Sequence, residues 1–131
     1  MDRLIIDSSV LIAGERGELD PGALFGDEDD VAIAAVTVAE LEVGVALADK
    51  RYRARRRAYV DAVRGAIPAI PYDEAVADIH AGLIAHTVKT GDRRSAHDLI
   101  IAATAASTGR TLVTLDRRGF EGLPGVRHTG G

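Results

Sequence analysis

Three short apolar runs, separated by stretches of helical character, constrain the fold of this chain more than any other feature of its sequence. The runs are RLII at 3–6, VAIAAV at 31–36 and TLVTL at 111–115, and their length and composition are typical of buried strands. Strands that alternate with helices form a parallel sheet, whose two faces helices cover. The sequence therefore predicts an α/β fold with three layers, in which helices flank a central, mainly parallel sheet.

Polar residues with cap chemistry predict where three of the helices begin. Asp7-Ser8-Ser9 predicts a short helix directly after the first run. Thr37-Val38-Ala39-Glu40 has the S/T-x-x-E form of a capping box and predicts a helix after the second run. Ser95 is expected to cap a helix through LIIAATAAS, which ends near Gly109.

The remaining elements lie between and after these helices. The arginine-rich segment predicts a helix to about Arg64, closed by Gly65 and Pro68. The two prolines of AIPAIPYD leave room for a short strand only, and Asp73 then begins another helix. The turn-rich tail has room for one edge strand near Val126.

The length and composition predict one domain over residues 1–131, because a chain of this size supports one hydrophobic core. Cysteine is absent, which excludes disulfides and thiolate metal sites. The N-terminus lacks the pattern of a signal peptide, and no apolar run approaches the about 20 residues that span a bilayer. We therefore expect a cytoplasmic protein without a membrane partner.

Four acidic residues fall where the predicted sheet has its carboxyl edge, at which ligands of parallel sheets bind. Asp7 ends the first strand, and Asp116 follows the third run. Glu40 is expected in the first turn of the helix after the second run, and Asp98 in the first turn of the helix before the third. Each acid alone could be a cap or a turn residue. Four acids from distant segments at one edge indicate a site.

Such a cluster calls for a cation, because two unit charges about 5 Å apart repel by ~3 kcal/mol at an effective dielectric of 20. Oxygen ligands without cysteine suit Mg²⁺ or Mn²⁺ rather than zinc. His97 is expected to point away from Asp98, since neighbouring helix residues do not share a face, and His80 and His86 are expected at the surface or in the core. A magnesium ion equips a site for phosphodiester hydrolysis.

The net charge of -4 does not exclude a nucleic acid as partner, because without the four site acids the rest of the chain is neutral. Nearly all the positive charge is arginine, and KRYRARRR at 50–57 concentrates it. Arginine suits bidentate phosphate contacts. The run is either a solvated helix face or a surface for RNA or another partner, and the sequence leaves both interpretations open.

Together these motifs resemble the PIN-domain ribonucleases, specifically the VapC-type toxins of type II (VapBC) toxin–antitoxin pairs. LIIDSSVLIA is similar to the family's opening strand and first acid, and TVAELEVG to the motif that carries its glutamate. HDLIIAATA is similar to the third motif, and TLVTLDRRGFEGLPGV to the closing strand, fourth acid and tail. Four motifs in order over nearly the whole chain are a much stronger signal than any one of them.

The resemblance implies a PIN-like fold and a catalytic metal site formed by Asp7, Glu40, Asp98 and Asp116. Asp7 and Asp98 would coordinate Mg²⁺, or Mn²⁺ in its place, directly or through water. Glu40 would orient the attacking water, and Asp116 would complete the site or hold a second ion.

The hydroxyls of Ser8 and Thr114 are candidates for a supporting role. Thr114 would share a strand face with Asp116 if the strand continued that far, since side-chain direction alternates along a strand. The alternative is that Ser8 serves only as a cap residue and Thr114 only as a strand residue.

The resemblance also implies endonucleolytic cleavage of RNA to a 3′-hydroxyl and a 5′-phosphate. It implies inhibition by a cognate VapB-type antitoxin, and a homodimer that assembles with it into a larger complex. Two alternatives compete with this function. A phosphoacceptor receiver module would need a lysine after a late strand, but the only lysines are Lys50 and Lys89, in helical regions. A non-catalytic PIN-like interaction protein would not require all four acids.

Overall fold

The computed structural model describes residues 1–129, and within them a sheet of five parallel strands runs through the centre of the molecule. The strands are β1 (Arg3–Ile6), β2 (Asp30–Ala34), β3 (Ala69–Ile70), β4 (Thr111–Val113) and β5 (His128–Thr129). Their order across the sheet is β3-β2-β1-β4-β5, and every neighbouring pair is parallel. The predicted parallel sheet is confirmed, with the first strand of the chain at its centre.

Five α-helices connect the strands of residues 1–129. They are α1 (Ser8–Glu15), α2 (Ala35–Ala46), α3 (Lys50–Ala66), α4 (Glu74–Thr90) and α5 (Ala96–Ser107), with short 3-10 turns at Pro21–Ala23 and Arg117–Gly119. Two predicted caps are present, because the side chain of Asp73 accepts from the Val76 N–H and that of Ser95 from the Asp98 N–H. None of the helices in this part of the chain combines the length and the apolar character needed to cross a membrane.

The hydrophobic core lies on both faces of the sheet, as the three-layer prediction requires. Successive residues of β1 point to opposite faces, so that Leu4 and Ile6 pack with α1, α2 and α3 while Ile5 packs with α4 and α5. Most of the buried residues are aliphatic, and Phe120 is the largest side chain that is fully buried. The two helical layers therefore hold the sheet in place and leave its carboxyl edge open.

The helix after β2 begins three residues earlier than the sequence predicts, with Ala34 rather than Thr37 as its N-cap residue. A short apolar run does not distinguish a buried strand from a buried helix turn, and here Ala35 and Val36 extend the helix. Thr37 is fully buried inside α2, and its hydroxyl has no hydrogen-bond partner among residues 1–129. The predicted capping box is therefore wrong, and Glu40 lies in the second turn of α2.

Three further boundaries differ from the sequence prediction in smaller ways. Gly65 lies inside α3 and does not end it. Strand β4 ends at Val113, so the strand-face argument for Thr114 and Asp116 does not hold. The edge strand β5 lies slightly beyond Val126, and the strand in AIPAIPYD has only two residues, as its prolines predict.

Candidate metal centre

Asp7 lies at the carboxyl end of the central strand, between β1 and α1, where its backbone N–H donates to the Val113 carbonyl. Its side chain is buried, with 4% of the residue exposed, and it makes no capping hydrogen bond to α1. Instead Oδ1 accepts a 2.6 Å hydrogen bond from the Ser9 hydroxyl, and Oδ2 accepts one of 2.6 Å from the Thr114 hydroxyl. Asp7 occupies the cap position, but its carboxylate is directed into the site.

The environment of Asp7 disfavours its negative charge. Burial raises the pKa of this carboxyl above its ordinary value, and the hydrogen bonds from Ser9 and Thr114 oppose that effect without cancelling it. A cation beside the carboxylate would remove the penalty.

Thr114 connects two of the predicted site acids. Its hydroxyl donates to Asp7 Oδ2 and accepts a 2.9 Å hydrogen bond from the Asp116 backbone N–H. The side chain is fully buried, which prevents water from replacing either bond. The expected supporting hydroxyl is therefore present at Thr114, although it acts from the loop after β4 and not from the strand.

Asp98 lies in the first turn of α5 and faces the other three acids. Burial is the largest cause that raises the pKa of its carboxyl, followed by the negative charges of Asp116 and Asp7. Glu40 adds a smaller effect in the same direction, and a hydrogen bond with Ser95 lowers the pKa. The structure therefore brings Asp7, Glu40, Asp98 and Asp116 to one edge of the sheet, close enough to repel one another.

Gly119 leaves room for the carboxylates of Asp98 and Asp116. The sequence did not reveal this role of the glycine. A Cβ atom at this position would lie 2.6 Å from Asp98 Oδ2 and 3.3 Å from Asp116 Oδ2. Both distances are shorter than ordinary carbon–oxygen contacts, so any side chain here would displace the carboxylates. The only signal in the sequence is a glycine three residues after Asp116.

Glu40 has two polar neighbours, and one of them was predicted to point elsewhere. The Ser8 hydroxyl lies 3.5 Å from Glu40 Oε2, a long contact, and Nδ1 of His97 lies 3.5 Å from the same oxygen. The prediction for His97 was wrong because the neighbour rule applies within one helix, whereas His97 reaches across to α2. Glu40 Oε1 is buried and has no hydrogen-bond partner among residues 1–129.

The donor set fits a hydrated divalent cation better than a dehydrated one. Within residues 1–129, no three acidic or histidine side chains form a ready-made set of direct metal ligands. The four carboxylates nevertheless share one edge, and Glu40 keeps a buried oxygen that has no partner in the same range. Mg²⁺ dehydrates reluctantly and binds proteins through one or two carboxylates with several waters, which such an arrangement can supply.

The chain is similar to known proteins over nearly its whole length. The family model "PIN domain" matches residues 4–125. Ribonuclease VapC5 of Mycobacterium tuberculosis is 40% identical over 113 residues, which cover 86% of this chain and 82% of the relative. Ribonuclease VapC of Rickettsia bellii is 29% identical over 92% of this chain and 90% of its own.

Solved structures agree with the sequence relatives. The structure of VapBC-5 from Mycobacterium tuberculosis, a member of the VapBC family of toxin-antitoxin systems, matches with a TM-score of 0.83 and 34% identity over 100% of both chains. VapBC2 from Rickettsia felis, bound to a DNA fragment from its promoter, matches with a TM-score of 0.89 at 19% identity over 98% of each chain. The second likeness supports the fold.

Proposed function

Because this chain belongs to the PIN-domain family, we propose that it is a metal-dependent endoribonuclease, the toxin of a VapBC-type toxin–antitoxin pair. The relatives are named ribonucleases, and a solved structure at 34% identity belongs to a toxin-antitoxin family. One observation carries the catalytic part of the proposal. Four carboxylates from four segments converge on one edge of the sheet, where burial and then the charges of the other three raise the pKa of Asp98.

We propose that the resident cation is Mg²⁺, for which Mn²⁺ can substitute. Asp7 and Asp98 would hold it directly or through water, and Asp116 and Glu40 would complete the site. When bound, the ion polarises a phosphate oxygen and lowers the pKa of a bound water. The hydroxyls of Ser9 and Thr114 fix the Asp7 carboxylate for this task.

Glu40 is proposed to orient the attacking water. Ser8 and His97 lie beside its oxygen Oε2. The carboxylate would accept a proton from the water as the water oxygen bonds to phosphorus. The bond between phosphorus and O3′ would break and O3′ would take up a proton from solvent, which leaves a 5′-phosphate and a 3′-hydroxyl.

We also propose which partners the chain has and in which compartment it acts. A VapB-type antitoxin would bind and inhibit the chain, and a homodimer would assemble with it into a larger complex. Apolar side chains of α2 and α4, and of the residue after α2, remain exposed for such contacts: Val43, Leu47, Ile84 and Val88. The chain would act in the cytoplasm, where both the RNA and the antitoxin are made.

The experiment that tests this function is RNA cleavage by the purified chain with Mg²⁺ or Mn²⁺. We expect total bacterial RNA to be cleaved, the activity to disappear with a chelator, and Asp98→Asn to reduce it by at least about a hundredfold. Asp78→Asn, on the exposed face of α4, is the control and should cleave like the wild type.

Two results would count against the proposal. Cleavage that persists in excess chelator would exclude the metal mechanism. A folded wild-type chain that cleaves no RNA with either ion would favour a non-catalytic interaction protein.

A further inference from the structure

One group of arginines, all of them in α3, holds helices together. Arg57 makes a bidentate pair with Glu42, with Nη1–Oε1 and Nη2–Oε2 distances of 2.7 and 2.6 Å. Arg64 reaches the same carboxylate at 3.0 Å, and Arg56 Nε pairs with Glu15 Oε1 at 3.1 Å. Of the six cations in the run at 50–57, Arg56 and Arg57 are paired, whereas the other four pair with no carboxylate in residues 1–129: Lys50, Arg51, Arg53 and Arg55.

The second group lies beside the acidic site. Arg93, Arg117 and Arg118 are exposed, and none of them pairs with a carboxylate in residues 1–129. Arg117 and Arg118 directly follow Asp116 and directly precede Gly119, which lies against the Asp98 carboxylate. These cations therefore border the acids.

Arg94 connects the loop that carries Arg93 to the loop after Asp116. Its Nη2 donates to Asp92 Oδ2 at 2.6 Å and also to the Glu121 carbonyl oxygen. The guanidinium is largely buried, with 10% of the side chain exposed, so this link is a structural one. It holds the segment of Arg93 next to the segment of Arg117 and Arg118. We call the three exposed arginines of these two segments the basic rim.

An RNA that enters a cluster of four carboxylates meets repulsion on either side of the phosphate to be cleaved. A divalent cation offsets that repulsion only at the reacting phosphate. The neighbouring phosphates need cations of their own, and a guanidinium offers paired donors that match phosphate oxygens. The basic rim supplies such donors next to the site.

We propose that Arg93, Arg117 and Arg118 bind the phosphates that flank the scissile one in the RNA substrate. The proposal rests on the ribonuclease function proposed above. Within the run at 50–57, Arg56 and Arg57 serve the fold, and the test below determines whether its unpaired arginines contact RNA as the basic rim does. Binding through the backbone carries no sequence information, so the rim sets affinity and position rather than the choice of target.

The test compares two double substitutions that remove the same charge. Arg117→Gln/Arg118→Gln removes two rim cations. The control, Arg51→Gln/Arg55→Gln, removes two exposed arginines of α3 that pair with no carboxylate in the described chain. Binding of a fluorescein-labelled, randomised single-stranded RNA is measured by anisotropy in the Asp98→Asn background, so that the RNA stays intact. Cleavage constants are measured with Asp98 present.

We expect the rim variant to bind RNA roughly tenfold more weakly and to raise KM by a similar factor, with kcat nearly unchanged. The slope of log Kd against log salt should fall by about 0.7 for each phosphate that the variant no longer neutralises. Arg93→Gln should add to both effects. The control pair should keep the wild-type affinity and slope.

An unchanged Kd and salt slope in the rim variant would overturn the proposal, as would an equal loss in the control pair. The two proposals fail separately. If the wild type cleaves no RNA, the ribonuclease function fails, whereas normal cleavage with an unaffected rim variant removes only the phosphate-binding role of the rim.

Discussion

Asp98 is the site acid at which the effect of the charge can be tested without the loss of a pair of hydrogen bonds. Asp7 is also buried, but two hydroxyls donate to its two oxygens, and an asparagine would keep an acceptor for only one of them. Asp98 has no comparable pair of donors among residues 1–129 and faces three other carboxylates. Substitution of Asp98 therefore separates the cost of the charge from the loss of hydrogen bonds.

We expect Asp98→Asn to raise the Tm of the metal-free chain by a few degrees at pH 7, because it removes a charge that burial and three nearby carboxylates disfavour. The pKa of Asp98 is raised in the folded state, so its charge destabilises the fold at neutral pH. That penalty disappears as the pH falls through the raised pKa towards the ordinary value of 3.8. The difference in Tm between Asp98→Asn and the wild type should therefore shrink over the same pH range.

Thermal melts at several pH values, with and without Mg²⁺, check this prediction. Added Mg²⁺ should raise the Tm of the wild type and leave that of the variant nearly unchanged. A lower Tm for the metal-free variant would mean that Asp98 acts mainly as a helix-start residue.

Gly119 is expected to be necessary for full activity, because its lack of a side chain makes room for the Asp98 carboxylate. In Gly119→Ala the new Cβ, 2.6 Å from Asp98 Oδ2, forces the carboxylate to turn away. We expect RNA cleavage to fall at least about tenfold, because misplacement of a catalytic group by about 1 Å is that costly. The Tm should change little, since a carboxylate can move without disturbing the core.

Gly82→Ala is the matched control for that substitution. Gly82 lies on α4, and a Cβ added there would have no neighbouring atom within 4 Å apart from its own helix backbone and chain neighbours. Alanine should therefore stabilise the helix by roughly 0.5–1 kcal/mol and leave cleavage unchanged. If Gly119→Ala cleaves RNA as fast as Gly82→Ala, the tight contact has no catalytic consequence.

At the scale of elements, one carboxylate attaches α3 to α2. Hydrogen bonds from Arg57, and then from Arg64, lower the pKa of Glu42 from 4.5 to about 2. Both arginines come from α3 and Glu42 comes from α2, so the contact fixes the relative position of the two helices. α3 is otherwise strongly polar, with only Val60 and Val63 buried.

We expect Glu42→Gln to lower the stability of the chain at neutral pH. A carboxyl with a depressed folded pKa stabilises the fold above its unfolded value of 4.5, and that contribution is lost as the pH falls through about 2. The difference between variant and wild type should therefore narrow below pH 4.5. Urea unfolding at several pH values measures it, with Asp78→Asn as the control.

Helix and strand identities could be predicted from the sequence, but contacts between helices could not. Asp73 and Ser95 cap their helices as the sequence predicts, because a cap depends only on nearby residues. The start of α2 and the direction of His97 depend on what packs beside α2, which local patterns do not contain. The pairing of Arg57 and Arg64 with Glu42 could not be predicted for the same reason, because it joins two different helices.

The four acids could be placed at one edge because parallel topology alone decides which ends of the strands meet. The distances between the acids and the space around Gly119 depend on how the helices and strands pack. They could therefore not be predicted from the sequence. Their catalytic and metal-binding roles stay predictions until the substitutions above are made.

At the scale of the whole molecule, Arg110 joins three strands at the edge of the sheet opposite the site. Its Nη1 donates to the carbonyl oxygens of Leu4 and Asp30, at 3.0 and 2.8 Å, and to Asp30 Oδ1 at 3.0 Å. The residue is 9% exposed and immediately precedes β4. One guanidinium therefore ties the start of β4 to β1 and β2.

We expect Arg110→Met to reduce the free energy of unfolding by about 2 kcal/mol, because two carbonyls and a carboxylate lose their donor. Cleavage per folded molecule should not change, since the acids lie at the far end of the strands. Urea unfolding and RNA cleavage measured on the same preparation test both parts. Lost activity with unchanged stability would contradict this division between the two edges.

The position of β1 in the sheet has a consequence for synthesis on the ribosome. Strand β1 precedes the other strands in the chain but lies at the centre of the sheet, and Asp7 is held by Thr114, more than a hundred residues later. A nascent chain that stops before Thr114 has Asp7 but neither the loop after β4 nor Asp116. The acidic site can thus form only after Asp116 has been translated, so a copy that is broken off before that point cannot cleave the RNA that encodes it.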